Sequence, residues 1–217
     1  RLGDAYWFVV AVATIFTLAR FSEAFLLLRA QAVGLSLALV PAVLVVMNVA
    51  YAFSAWPAGA LSDRIGRFGL LSMGFALLLM ADLFLALGEN IGVVLLGAVL
   101  WGLHMGLTQG LLSALIADTA PPELRGTAFG MFNLVTGLAM LVASVIAGSL
   151  WDNIGPRGTF LAGALFTAAA LVKAIQDAGL TKRSSIQSFD WRTLMAAKRI
   201  APEIERICLT IQSPGED

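Results

Sequence analysis

The chain is 217 residues long, with 59% hydrophobic residues, 13% charged residues and a mean hydropathy of +0.87. A soluble domain usually carries about a quarter charged residues, so this chain has too few charges to cover a water-soluble globule. Its 14 basic and 14 acidic residues cancel, and no basic excess indicates nucleic-acid binding. The composition therefore excludes soluble enzymes and nucleic-acid-binding proteins.

The charged residues divide the chain into two parts. Residues 1–176 hold 16 of them, whereas residues 177–217 hold 12. We predict a membrane-embedded domain over 1–176 and a polar cytoplasmic tail over 177–217. The composition leaves open whether this tail is a regulatory appendage, a disordered end, or sequence outside the membrane frame. Because the chain opens with Arg1 rather than Met, we expect it to be a piece of a longer chain.

Membrane-spanning stretches fill the first part. A helix needs about 20 mostly apolar residues to cross the hydrocarbon layer of a bilayer. The first candidate is the weakest, because Arg20, Glu23 and Arg29 interrupt it. The sequence predicts an all-α membrane protein with six transmembrane helices, at about 5–30, 37–60, 68–88, 92–117, 123–150 and 158–176.

The basic residues of the connections predict the orientation. Cytoplasmic connections of membrane proteins carry an excess of Lys and Arg. If the spans alternate, one side receives only Arg29 and Arg157, and the other receives Arg1, Arg64, Arg67, Arg125, Lys173, Lys182 and Arg183. We therefore expect a multi-pass protein of the plasma (inner) membrane with both termini in the cytoplasm.

An internal repeat relates the two halves of the membrane domain. Residues 59–69 align with residues 148–158 at a constant offset of 89, and Gly74 matches Gly163 at the same offset. Three spans separate the two segments, so they face opposite sides of the membrane. The six helices therefore form two inverted three-helix repeats, an architecture typical of secondary transporters.

Two connections carry a family resemblance. Residues 59–67, Gly-Ala-Leu-Ser-Asp-Arg-Ile-Gly-Arg, are similar to the G-x-L-x-D-R-x-G-R loop of the major facilitator superfamily. That family loop usually continues with further basic residues, whereas Phe68 and Gly69 follow Arg67 here. Residues 118–126 resemble the loop between the tenth and eleventh helices of the same family. The resemblance implies the C-terminal six-helix half of a transporter that moves a small solute by alternating access. Its partners would be the missing N-terminal six-helix half and the lipid bilayer.

The same resemblance implies a gating loop. Gly59 and Gly66 permit a tight reversal, and Arg64 and Arg67 can hold surface carboxylates, with Glu123 as one candidate. The alternative is a simple hairpin turn with positive charges that fix topology. The expected gating residues are Gly59, Asp63, Arg64, Gly66, Arg67 and Arg125.

Small residues follow one face of the fourth span. Gly102, Gly106 and Gly110 recur every four residues, a pattern that lets membrane helices approach closely. We expect these glycines to pack on a neighbouring helix. His104 lies about 200° round the helix from Gly102. It is therefore either a cavity residue or a structural histidine bonded to another helix.

Polar side chains inside the spans are the candidates for substrate or proton handling. Arg20 and Glu23 lie one helical turn apart and can form a structural ion pair or serve transport. By the family resemblance, helices one, two, four and five line the cavity. The candidates for substrate contact or proton coupling are Arg20, Glu23, Asn48, His104 and Asn133.

Motifs for other chemistry are missing from the sequence. There is no phosphate-binding G-x-x-x-x-G-K-[ST] loop, no H-E-x-x-H and no G-x-S-x-G. Cys208 and His104 are the single cysteine and the single histidine, so no Cys/His spacing suits a metal. We expect no enzyme, cofactor or metal site. The competing interpretation of the chain is a non-transporting membrane scaffold or receptor subunit derived from a half-transporter.

Overall fold

The computed structural model describes residues 2–177 together with the segments 185–188 and 205–208. It divides into two compact units, Arg1–Ala170 and Leu171–Asp217. A 3₁₀ turn, Pro122–Leu124, precedes the fifth of six α-helices. The helices are α1 (Asp4–Ala19), α2 (Ala24–Ala32), α3 (Ala42–Leu87), α4 (Ile91–Thr119), α5 (Arg125–Ile154) and α6 (Pro156–Asp177).

The second unit contains two short strands, β1 (Ser185–Ser188) and β2 (Glu205–Cys208). They pair in parallel, with Ser185 opposite Glu205. The rest of the predicted tail, beyond these strands and the end of α6, lies outside the described residues.

Five helical segments are long and apolar enough to cross a membrane. They form the first to fifth spans, and a shorter apolar segment follows as the sixth. This confirms the predicted all-α membrane fold. The six spans are Asp4–Ala32, Ala42–Ser62, Arg64–Leu87, Ile91–Thr119, Pro122–Ile154 and Pro156–Val172.

The first span is broken rather than continuous. Helix α1 ends at Ala19, and Arg20 adopts extended φ/ψ angles of −112° and 106° before α2 begins. A main-chain N–H freed inside a membrane needs a protein partner. At this break the Ser22 amide donates to the Ser144 hydroxyl of α5 at 3.3 Å. Arg20 and Glu23, which interrupt the apolar stretch of the first span in the sequence, thus lie where the helix is discontinuous.

Gly66 and Gly155 make equivalent reversals in the two repeats. The loop predicted between the second and third spans is reduced to a sharp bend within α3, where Gly66 has a φ of 76° and a ψ of 163°. Gly155, 89 residues later, has a φ of 87° and a ψ of −179° between α5 and α6. Both values of φ lie in the left-handed region that favours glycine. Gly59, which was also expected to serve the reversal, lies in regular helix.

Helix α4 packs between the two halves of α3. On one side, a Cβ atom at Gly102 would collide with the main-chain oxygen of Met47, and one at Gly106 would collide with the Ser54 hydroxyl. On the other side, a Cβ atom at Gly97 would lie 2.8 Å from Cγ of Leu85. The expectation of close packing is wrong for Gly110, where a Cβ atom would meet nothing within 4 Å. Close approach therefore ends before the last turns of α4.

Contacts at the two ends of the bundle establish the inversion of the repeats. At one end Arg67, beside the Gly66 bend, forms an ion pair with Asp118 at the end of α4. At the other end Trp151, beside the Gly155 bend, packs against Phe25 with ring centroids 5.7 Å apart. The two bends thus lie at opposite ends of the six helices, as the internal repeat predicts.

Candidate functional site: a polar recess beside the broken first span

A recess of about 400 Å³ opens between α1, α4 and α5. One packed cluster, which includes Tyr6, Ile116 and Ala128, lies towards one end of these helices. A second, which includes Phe21 and Trp101, lies towards the other end. The residues between them, here called the central recess, are Phe16, Thr17, Arg20, Gln109, Leu112, Ser113, Phe132, Asn133, Thr136, Gly137 and Met140.

Arg20 reaches the central recess because the first span breaks there. It is the first residue after α1, and its main-chain N–H donates to the carbonyl of Thr17 at 3.1 Å. The C-terminus of a helix carries partial negative charge, which favours a cation at this position. The break thus positions a guanidinium at mid-depth in the bundle.

Arg20 and Glu23 do not form the expected ion pair. Within the described part of the chain, the pair between Arg67 and Asp118 is the one salt bridge. The physical reason is the break, since α1 ends before Arg20 and the two residues no longer share one regular helix. Arg20 lines the central recess, whereas Glu23 is half-buried outside it.

The other polar groups of the recess are neutral. Asn133, a predicted candidate, lies on α5 beside Thr136, whose hydroxyl donates to the Phe132 carbonyl at 2.7 Å. Gln109 and Ser113 contribute from α4, and we did not identify them from the sequence. The available signal was their spacing of four residues, which puts two polar side chains on one face of an apolar helix.

His104 lies outside the recess, and the expectation that it points into a cavity is wrong. The ring is fully buried, and its Nδ1 bonds to the Gly74 carbonyl oxygen of the third span at 2.9 Å. It stacks on Phe16, with ring centroids 5.2 Å apart. The alternative of a structural histidine bonded to another helix describes this position, because α4 packs on protein on both sides.

Asn48 also lies outside the central recess. It is exposed on the second span, where its Nδ2 donates to the Leu44 carbonyl oxygen of the same helix at 2.8 Å. The recess is therefore lined by the first, fourth and fifth spans, without the second span that the family resemblance had added.

Three of the expected gating residues, Arg64, Gly66 and Arg67, lie at the Gly66 bend. Arg67 pairs with Asp118 and not with Glu123; the two paired side chains are 46% and 53% exposed. The exposed residues Arg64 and Arg125 form no salt bridge with the side chains that the structure describes. The side chain of Asp63 lies outside the described residues.

Asp82 is a fully buried carboxyl group. It lies on the third span, and a Cβ atom at Gly163 of the sixth span would be 3.0 Å from its Oδ2. Gly163 and its repeat partner Gly74 are thus both sites of close helix approach. No group of three or more His, Cys, Asp or Glu that could hold a metal exists among the residues described.

Comparison with known proteins gives two kinds of match. The family model of the Major Facilitator Superfamily matches residues 6–200. An uncharacterized MFS-type transporter, MJ1317 of Methanocaldococcus jannaschii, is 35% identical over 162 residues, which cover 72% of this chain and 40% of that protein. The quinolone resistance protein NorA of Staphylococcus aureus is 24% identical over 117 residues, covering 54% and 30% respectively. The matched segments thus span less than half the length of these relatives.

Proposed function

Because the chain belongs to the major facilitator superfamily, we propose that it forms one half of a secondary active transporter that moves a small solute by alternating access. The family and the apolar helices make it a multi-pass membrane protein. The proposal adds that the solute crosses through the central recess, in contact with Arg20 and Asn133. One observation carries it: a discontinuous helix brings a charged residue to a mid-depth recess, as in the binding sites of many secondary transporters.

The exposed apolar surface of the bundle supports the proposal that the complete protein has a second six-helix half. Within an 18-residue apolar window of each span, 17% of the residues are buried in the second and fifth spans, against 44% in the first and 56% in the fourth. Trp56 on the second span is 90% exposed. We propose that an N-terminal six-helix half covers part of this surface and supplies the other wall of the recess. From the distribution of basic residues, we also propose that both termini of the present chain lie in the cytoplasm and that the protein is in the plasma membrane.

The ion pair between Arg67 and Asp118 supports a gate at the Gly66 bend. It joins the start of the third span to the end of the fourth, and both side chains are half in solvent. Exposed pairs are worth about 0–1 kcal/mol, so such a contact can open and close without unfolding the protein. In the proposal, it stabilises one access state. Glu23 remains a candidate for proton coupling through its position in the break of the first span.

A different class of function is a membrane scaffold or receptor subunit that does not transport. Such a protein has no need of a recess that becomes accessible from both membrane surfaces. The two-sided accessibility of Asn133 therefore separates the two functions.

The test uses the complete gene product in sealed right-side-out and inverted vesicles. Cys208 and any cysteine of the other half are replaced by Ser, Asn133→Cys is introduced, and a membrane-impermeant maleimide is added from one side at a time. We expect labelling from both sides, because the recess opens alternately. Asn153→Cys, an exposed position near the end of α5, serves as the matched control and should be labelled from one side only.

Labelling of Asn133→Cys from one side only would overturn the transport proposal. The same assay tests the gate. Arg67→Gln should shift the ratio of labelling from the two sides several-fold, whereas Arg64→Gln should leave it unchanged because Arg64 has no salt bridge in the described structure. An equal effect of both substitutions would indicate that the loop fixes the membrane topology and does not act as a gate.

A further inference from the structure

The charge balance of the central recess points to the chemical class of the solute. Arg20 is the only charged side chain among the recess residues. The others are neutral polar or apolar, and no Asp or Glu of the described chain lines the recess. The lining of the central recess thus carries one positive and no negative charge.

The guanidinium of Arg20 has unused binding capacity. It carries five N–H donors and no acceptor. Among the residues described, none accepts a hydrogen bond from its side chain, and no carboxylate lies within salt-bridge distance. Arg29, the other arginine of the first span, differs in this respect. Its Nε donates to the Leu85 carbonyl oxygen at 2.7 Å and its Nη2 to that of Gly88 at 2.6 Å.

A cation held in the membrane interior without a partner is energetically unfavourable. Arginines within transmembrane segments are rare, and they usually face a partner or a water-filled path. The C-terminus of α1 offsets part of this cost but supplies no hydrogen bond to the guanidinium. An anion in the recess would supply both the charge and the acceptors.

We propose that the central recess binds an organic anion, with Arg20 bonded to its carboxylate or an equivalent acidic group. Guanidinium groups match such oxyanions with two parallel hydrogen bonds. Gln109, Ser113 and Asn133 offer neutral donors and acceptors around the same space, and Phe16 and Met140 offer apolar surface for the body of the solute. This inference rests on the proposed function, because it concerns the solute of the same recess.

The test compares two thiol reagents of similar size and opposite charge. Ser113→Cys places a thiol in the recess, with Cys208 replaced by Ser in the complete gene product. The reagents are the anionic 2-sulfonatoethyl and the cationic 2-(trimethylammonium)ethyl methanethiosulfonate. The ratio of their rates is divided by the same ratio for a small free thiol in solution. Any effect of Arg20 on the ionisation of the thiol cancels, because both reagents attack the same group.

We expect the anionic reagent to be favoured by about tenfold, since an opposite charge at short range in a partly desolvated site attracts by this order. Arg20→Gln should bring the corrected ratio to about one, whereas Arg20→Lys should retain most of the preference. Arg157→Gln, which removes an exposed cation outside the recess, should leave the ratio unchanged. The vesicles are made of zwitterionic lipid, so that anionic headgroups do not contribute to the measured ratio of rates.

A corrected ratio of one or below in the protein with Arg20 intact would overturn the inference. That outcome would mean that a carboxylate of the other half neutralises Arg20, or that the site favours cations. It would leave the proposed transport function standing if Asn133→Cys is labelled from both sides. One-sided labelling of Asn133→Cys together with a tenfold anionic preference would instead remove the transport function and leave an anion-binding receptor.

Discussion

His104 joins the fourth span to the third through one buried hydrogen bond. The bonded group on the third span is a carbonyl oxygen, which only accepts, so Nδ1 carries the proton and donates. The other ring nitrogen, Nε2, has no hydrogen-bond partner among the described residues. The ring also covers Phe16, which lines the central recess. This histidine therefore supports the wall of the recess from behind.

We predict that His104→Leu lowers stability and leaves the recess chemistry in place. Loss of the donor leaves a buried carbonyl with one hydrogen bond fewer, at a cost of about 1–3 kcal/mol. His104→Asn, which keeps a donor near the position of Nδ1, should recover part of that loss. Thermal unfolding in detergent measures both variants. Equal melting temperatures for His104→Leu and the unmodified protein would show that the bond to Gly74 contributes nothing.

The sequence predicted the direction of His104 correctly but not its surroundings. The helical angle places it opposite Gly102, and the structure agrees. What it meets there depends on where the third span lies, and periodicity within one helix does not contain that information. The same limit applies to Arg20 and Glu23. Their spacing of three residues favours an ion pair in a continuous helix, but the helix is broken between them.

At the scale of the elements, the glycines of α4 set its distance from the second span. Gly102 and Gly106 leave no space for a side chain, whereas Gly110 faces open space. Gly110 instead lines a second recess, at the end of the bundle that carries Arg67. One helix therefore offers the same residue type in two environments.

Alanine substitution should separate these two environments. Gly102→Ala forces a Cβ atom onto the Met47 carbonyl oxygen, and overpacking of this kind costs about 1–3 kcal/mol. Gly110→Ala adds the same methyl group in open space, where Ala also favours the helix over Gly, so stability should be unchanged or slightly higher. Thermal unfolding of both variants in detergent provides the comparison. A similar loss of stability in both would contradict the packing described here.

The helical spans were predictable because lipid imposes a strong constraint on the sequence. A continuous apolar stretch of about 20 residues has few other uses, so hydropathy located the five spans long enough to cross a membrane and the shorter apolar segment that follows them. The repeat located the two reversals at Gly66 and Gly155, since both need the same left-handed backbone. The break of the first span was signalled only by Arg20 and Glu23 inside an apolar stretch. Its geometry depends on Ser144, which is distant in the sequence.

On the scale of the whole molecule, the inverted repeats place the recess between two packed clusters. The cluster around Tyr6 lies towards one end of the helices, and the Tyr6 hydroxyl donates to the Ala128 carbonyl oxygen at 2.9 Å. The aromatic cluster of Phe21, Phe25, Trp101 and Phe160 lies towards the other end. In the proposed transporter, the present chain provides one wall of this space. Movement of a second half against it would open the recess to each side in turn.

The most direct test of this account is solute flux through the complete gene product. Proteoliposomes are loaded with the small-molecule extract of the source cells, and the solutes that leave are identified by mass spectrometry against protein-free vesicles. We predict that at least one small organic anion leaves only when the protein is present, and that Asn133→Leu reduces its flux at least tenfold while Asn153→Leu does not. Equal release from protein-containing and protein-free vesicles, with the protein folded, would contradict the central claim.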